Sequence, residues 1–280
     1  MCPQHEIVGI FEIAGIRCRL TCRDEAFGEF LSSRYADFAS DRIPELSIRV
    51  DVTTPSPGEV SLGWAGPFAR IGGRDGVLTI EGAMFRGTFH EKLGEGWITQ
   101  APDPAPLETF LAAICAGQLL RNDGFLLHAA AILSEGEAFV FFGPSGSGKT
   151  TVAELIGDGV ITDEITAIRR EDEGYLVSAV PWRGQSLAAP LGGLFRLRKA
   201  QETAFLPLSP SQAVRQLLPS VFFPRADARE VDRFLEIAQD LVKRVPCYEM
   251  RFAPSGSFWE AILSAAFHPH PTLSHQGRGR

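Results

Sequence analysis

Eight consecutive residues constrain this chain more than any others. Gly143-Pro144-Ser145-Gly146-Ser147-Gly148-Lys149-Thr150 fits G-x-x-x-x-G-K-[ST] without a gap. The apolar run Phe139-Val140-Phe141-Phe142 leads into it, and the spacing after it predicts a helix over 150–156. Glycines let the backbone turn back and approach a polyphosphate closely. Successive N–H groups then converge on phosphate oxygens at a helix N-terminus, where the dipole favours negative charge. Lys149 adds a point charge near the β- and γ-phosphates, and the Thr150 hydroxyl suits Mg²⁺. The candidate nucleotide-binding residues are therefore Gly143, Pro144, Ser145, Gly146, Ser147, Gly148, Lys149, Thr150 and, in the first helical turn, Thr151.

A second informative stretch follows at Val160-Ile161-Thr162-Asp163-Glu164. A helix leaving the loop descends about 12 Å at 1.5 Å per residue. After the turn Gly157-Asp158-Gly159, a strand over 160–163 climbs back about 13 Å. Asp163 and Glu164 therefore return to the height of the loop. Carboxylates there can bind Mg²⁺ or accept a proton from an attacking hydroxyl.

His128 sits in the apolar run Phe125-Leu126-Leu127-His128-Ala129-Ala130-Ala131-Ile132. If 125–142 is a regular hairpin around 134–137, position 128 faces position 143, and the histidine stands beside the start of the loop.

The rest of the chain reads as scaffold. The prolines of Ala101-Pro102-Asp103-Pro104-Ala105-Pro106 mark a boundary, with a helix expected from about Leu107 to 121. Before it, 1–105 is a smaller, mostly β region with strands over 15–21, 46–52, 77–81, 83–90 and 97–100, and one helix over 24–38. After it, 106–267 forms the nucleotide-binding domain. Strands are expected over 165–170, 175–180, 194–198 and 246–252, with helices over 231–242 and 258–267. The Pro- and His-rich stretch 268–280 reads as a disordered tail. Short hairpins after the loop point away from the long βαβ series of a doubly wound nucleotide-hydrolase core.

Composition narrows the partners. Lys plus Arg total 27 and Asp plus Glu 34, and this net charge of −7 argues against nucleic acid as a partner. No apolar run reaches the ~18 residues of a membrane span, and no secretory signal is evident, so a cytoplasmic location is expected. The five cysteines, without CxxC spacing, read as reduced thiols. Nothing in the sequence decides whether the chain forms a homo-oligomer.

Taken together, Leu127-His128-Ala129-Ala130, the phosphate loop and Ile161-Thr162-Asp163-Glu164 resemble the catalytic domain of the HPr kinase/phosphorylase family over roughly 107–265. That family is itself similar to ATP-dependent phosphoenolpyruvate carboxykinase around the nucleotide. The resemblance implies an α/β (α+β) P-loop kinase core, ATP and Mg²⁺ as cofactors, and phosphate transfer to a protein serine. Its histidine falls on His128, and its base, the first acid of the pair, on Asp163. The second acid is Glu164 where the family carries aspartate, and the Glu-x-Arg-Gly stretch of the bifunctional enzymes has no counterpart. The nearest segment, Val180-Pro181-Trp182-Arg183-Gly184-Gln185, is similar to that of smaller family members.

The expected function is transfer of phosphate from ATP to a hydroxyl of a protein or peptide. Asp163, His128 and Lys149 would be catalytic, and Thr150 and Glu164 would hold the metal. A nucleotide-binding switch or ATPase without transfer is the alternative. Arg183, Arg196 and Arg198 are further candidates for meeting the transferred phosphate or the acceptor.

Overall fold

The computed structural model describes residues 6–53, 69–82, 84–172 and 174–253. The expected helix over 258–267, the tail 268–280 and Cys2 lie outside the described residues.

The first half is built from β1 (Glu6–Ile13), β2 (Ile16–Cys22), α1 (Glu25–Arg34), β3 (Leu46–Val52), β4 (Arg70–Arg74), β5 (Val77–Gly82), β6 (Phe85–His90) and β7 (Glu95–Gln100). The strands form one mixed sheet in the order β1-β2-β3-β7-β6-β5-β4. Pairing is parallel at β2–β3 and β3–β7 and antiparallel elsewhere. Ala14-Gly15 and Asp75-Gly76, all at positive φ, make two of the sheet's two-residue turns. Such a pair matches the twist of the flanking strands.

α2 (Pro104–Arg121) begins three residues before its expected start. Pro104 and Pro106 fall in its first turn, where an amide N–H has no intrahelical acceptor and a proline costs little. Asp103 caps it by accepting from the Ala105 N–H at 2.8 Å. Its apolar side chains, Leu107, Phe110, Leu111 and Ile114 among them, join a core shared with the first sheet. That same core takes in Leu126, Ile165, Ala167 and Trp182 from the second half of the chain.

The second half comprises β8 (Gly124–Ser134), β9 (Glu137–Phe142), α3 (Lys149–Ile156), β10 (Val160–Thr162), β11 (Ile165–Glu171), β12 (Gly174–Ala179), β13 (Ala188–Lys199), β14 (Ala204–Pro207), α4 (Pro210–Leu217), α5 (Ala228–Arg244) and β15 (Cys247–Phe252). These strands make the second mixed sheet. The pairings β8–β11, β11–β12, β12–β13, β13–β9 and β9–β8 close a circuit. β9 and β15 both run parallel to β13.

Alternation divides the side chains of this sheet. Phe139, Phe141, Phe195, Leu197, Met250 and Phe252 pack with Val152 of α3 on one face. Ala138, Val140, Phe142 and Leu194 pack on the other, with Phe234, Ile237 and Leu241 of α5. The molecule is thus a mixed α/β structure of two large sheets with few helices. Among the described residues, no helix is long and apolar enough to cross a membrane.

Candidate functional site

β9 is buried along nearly its whole length, because the sheet's two cores cover both of its faces. Phe141 stacks on Phe195 at 5.3 Å between centroids, and Phe195 on Tyr248 at 5.6 Å. This aromatic layer holds the end of the strand rigidly where the chain leaves the sheet.

The loop then turns through Gly146 at φ 76° and Gly148 at φ 110°, conformations that favour glycine. A Cβ on Gly148 would also stand 3.2 Å from the Phe252 ring. Gly148 is the N-cap of α3 and supplies no capping side chain. The first amide N–H groups of the helix therefore have neither an intrahelical acceptor nor a side-chain cap, which suits an anion.

Lys149 is folded back over the loop. Its Nζ donates to the carbonyl oxygens of Gly143 at 3.0 Å and Pro144 at 3.3 Å. Burial pushes its pKa down, while Glu164 acts in the opposite sense. Beneath the loop, the Ser147 Oγ is buried without a hydrogen-bond partner among the described residues.

The acidic pair stands at a break between two strands that share one partner. β10 pairs with β8 at Ala131 and Ile132, and β11 pairs with β8 from Gly124 to His128. The Glu164 carbonyl bridges the gap by accepting from the Ala129 N–H at 3.1 Å. Buried Thr162 fixes the turn: its hydroxyl donates to the Arg183 carbonyl and accepts from the Glu164 N–H.

His128 lies opposite Ile165, and the next pair on its other flank is Ala129 with Phe142. The hairpin register thus carries position 128 to the level of 143, as the sequence suggested. Burial lowers the His128 pKa; Lys149 lowers it further and Glu164 opposes them. Burial and Lys149 thus both disfavour the charged imidazolium.

These elements enclose a cavity of about 500 Å³. Ser145, Gly146, Gly148, Lys149, Thr150 and Thr151 line it, together with His128, Asp163, Glu164 and Lys199. Gly143, Pro144 and Ser147 do not line it. The first two lend their carbonyls to Lys149, and Ser147 is buried.

Among the described residues, no group of three His, Cys, Asp or Glu side chains could hold a metal ion. A magnesium ion at a polyphosphate needs fewer protein ligands, because phosphate and water supply most of its oxygens. Thr150, Asp163 and Glu164, all on the cavity wall, carry the oxygens that could serve such an ion.

The arginines separate. Arg183 meets Glu164 at 3.0 Å. Arg196 and Arg198 instead pair with Glu249 of β15, at 3.2 and 3.6 Å. They alternate with Phe195 and Leu197, so they leave the strand on the face away from α3. Lys199, absent from the expected set, is the β13 residue that lines the cavity.

No curated protein matches the chain. The resemblance to the HPr kinase/phosphorylase family does not hold, because the family model that matches is a different one. The segments that suggested it are short and local. A glycine-rich loop, a strand histidine and returning acids form a local pattern that is not the property of one family. Residues 108–268, more than half of the chain, match the family model described as SynChlorMet cassette protein ScmC, and the chain belongs to that family.

Proposed function

We propose that this chain binds a magnesium nucleoside triphosphate, with ATP the expected one, and transfers its terminal phosphoryl group to a hydroxyl of a protein or peptide, a serine being the expected acceptor. One observation carries the reading: Lys149, Thr150, Asp163, Glu164 and His128 line a single cavity, although they come from three separate segments. On this reading β9, the loop and α3 are the centre of a P-loop kinase core. The setting is the cytoplasm, which the buried free thiols Cys18, Cys22, Cys115 and Cys247 favour.

The loop and first-turn N–H groups hold the phosphate chain. Lys149 exchanges its two carbonyl partners for phosphate oxygens, and this recovers the charge interaction that its enclosure costs. Asp163 is exposed at the cavity wall and takes the proton of the attacking hydroxyl. The acceptor oxygen bonds to the γ-phosphorus while the bond to the β–γ bridging oxygen breaks. The products are a phosphomonoester and a nucleoside diphosphate. Glu164 and Thr150 would hold magnesium, which would supply charge neutralisation on the phosphate chain, and neutral His128 stands beside the acids without adding a positive charge.

Calorimetric titration with ATP and with GTP in the presence of Mg²⁺ tests the first half of this reading. Heat is expected for at least one, and Lys149→Ala should weaken it without unfolding the protein. Equal affinity in the variant would refute the phosphate-binding role of the loop. Binding that is intact but accompanied by no transfer to any acceptor would leave a nucleotide switch.

A further inference from the structure

We propose that Lys199 is a second cationic contact to the phosphate chain, placed by the register of β13 rather than by the loop motif. The inference rests on the nucleotide-binding reading of the cavity and adds to it a residue outside the loop.

β13 runs parallel to β9, and their last pair is Arg196 with Phe142. β9 ends there and the chain turns into the loop, while β13 continues beside β15 to Lys199, paired with Phe252. Those three further residues carry it about 10 Å past the end of β9, alongside the loop. Side chains alternate along this extension. Phe195 and Leu197 face α3, and Lys199, two residues on, falls on that same face. There the strand stands beside Phe252, at the margin of the hydrophobic layer, and Lys199 lines the cavity.

Arg198 provides the contrast. It belongs to the opposite face, where it meets Glu249 with Arg196 and Arg251. Lys199 has no carboxylate partner among the described residues, and it is exposed. An unpaired ammonium beside a glycine-rich loop, in a chain of net charge −7, is suited to meet an anion. Lysine serves there as a mobile point charge rather than a rigid fork.

The test compares wild type, Lys199→Ala, Lys199→Arg and Arg198→Ala by equilibrium titration with MgATP at fixed ionic strength. A lost charge-assisted contact should weaken affinity about tenfold in Lys199→Ala. Lys199→Arg should restore most of that loss, since it keeps the charge on the same face. Arg198→Ala removes an equal charge one residue away and should stay within about twofold of wild type, because that charge leaves the opposite face of the strand and is already paired with Glu249. Unchanged affinity in Lys199→Ala would overturn the proposal. So would an equal loss in Arg198→Ala, which would mean a diffuse field rather than a contact. If wild type itself binds no nucleotide, the parent reading fails instead.

Discussion

The Glu164 carboxylate and the Arg183 guanidinium stand 3.0 Å apart at the edge of the cavity, although they are nineteen positions apart in the chain. The pair is half exposed, so its own contribution to stability is small, on the order of 0–1 kcal/mol. Its importance is positional. Thr162 ties the segment carrying Arg183 to the strand that ends in the acids, and the Gln185 N–H donates to the Ile161 carbonyl at 3.0 Å. Trp182, buried in the core between the two sheets, anchors the same segment from the inside.

Gly184 is the point where this segment touches β10, through a bridge to Thr162. A Cβ there would overlap the Ile161 carbonyl oxygen and the Ala179 side chain. Gly184→Ala should therefore destabilise the protein by about 1–3 kcal/mol, the usual cost of overpacking. It should also weaken magnesium-dependent nucleotide binding, because the turn carrying Glu164 moves with the segment. Thermal melts and titrations check both; a variant with wild-type melting and binding would show that the segment does not position the acids.

Glu164→Gln removes the charge that would hold the metal. The Mg²⁺ concentration needed for half-maximal transfer should rise, and excess Mg²⁺ should restore part of the rate. Arg183→Ala, by contrast, leaves the carboxylate in place and should lower that requirement, since Glu164 loses its competing cation. A magnesium titration of single-turnover rates distinguishes the two. If neither requirement changes, Glu164 is not a metal ligand.

The parts legible in the sequence were those whose signal is local. The strand into the loop, the loop itself, the helix after it and the returning acids each follow from a contiguous run. The height of 128 beside 143 follows from the regular register of the hairpin, whose last pair is Ala129 with Phe142. The start of α2 was misplaced because prolines that break a helix interior are tolerated in a first turn. α4 escaped notice although its signal was present, Ser209 and Gln212 forming a capping box with Pro210 at the helix start. Lys199 was not legible at all. Its place depends on the parallel register of β13 with β9 and β15, which no local pattern encodes. The family was misjudged for the related reason that the motifs quoted for it are local.

His128 links the site to pH. Its folded pKa lies below the ordinary imidazole value because burial and Lys149 disfavour the cation. The folded state therefore binds fewer protons than the unfolded one in that range. The stability that this contributes is present above the unfolded pKa, about 6.5, and is lost as pH falls through the folded value. Wild type should lose stability more steeply than His128→Asn between about pH 7 and pH 5. Denaturant unfolding across that window checks it; parallel curves would show that His128 does not titrate with folding.

The most direct test is single-turnover transfer from γ-labelled ATP, using cell extract as the source of acceptor, with Asp163→Asn beside wild type and nucleotide binding measured on both. Wild type should place the label on a protein or peptide hydroxyl. Asp163→Asn should bind nucleotide at least as well, having one negative charge fewer beside the phosphates, and should transfer roughly 10²–10⁴ times more slowly. Wild-type transfer rates in Asp163→Asn would contradict the assignment of the base, and the absence of label on any acceptor with wild-type protein would contradict phosphoryl transfer itself.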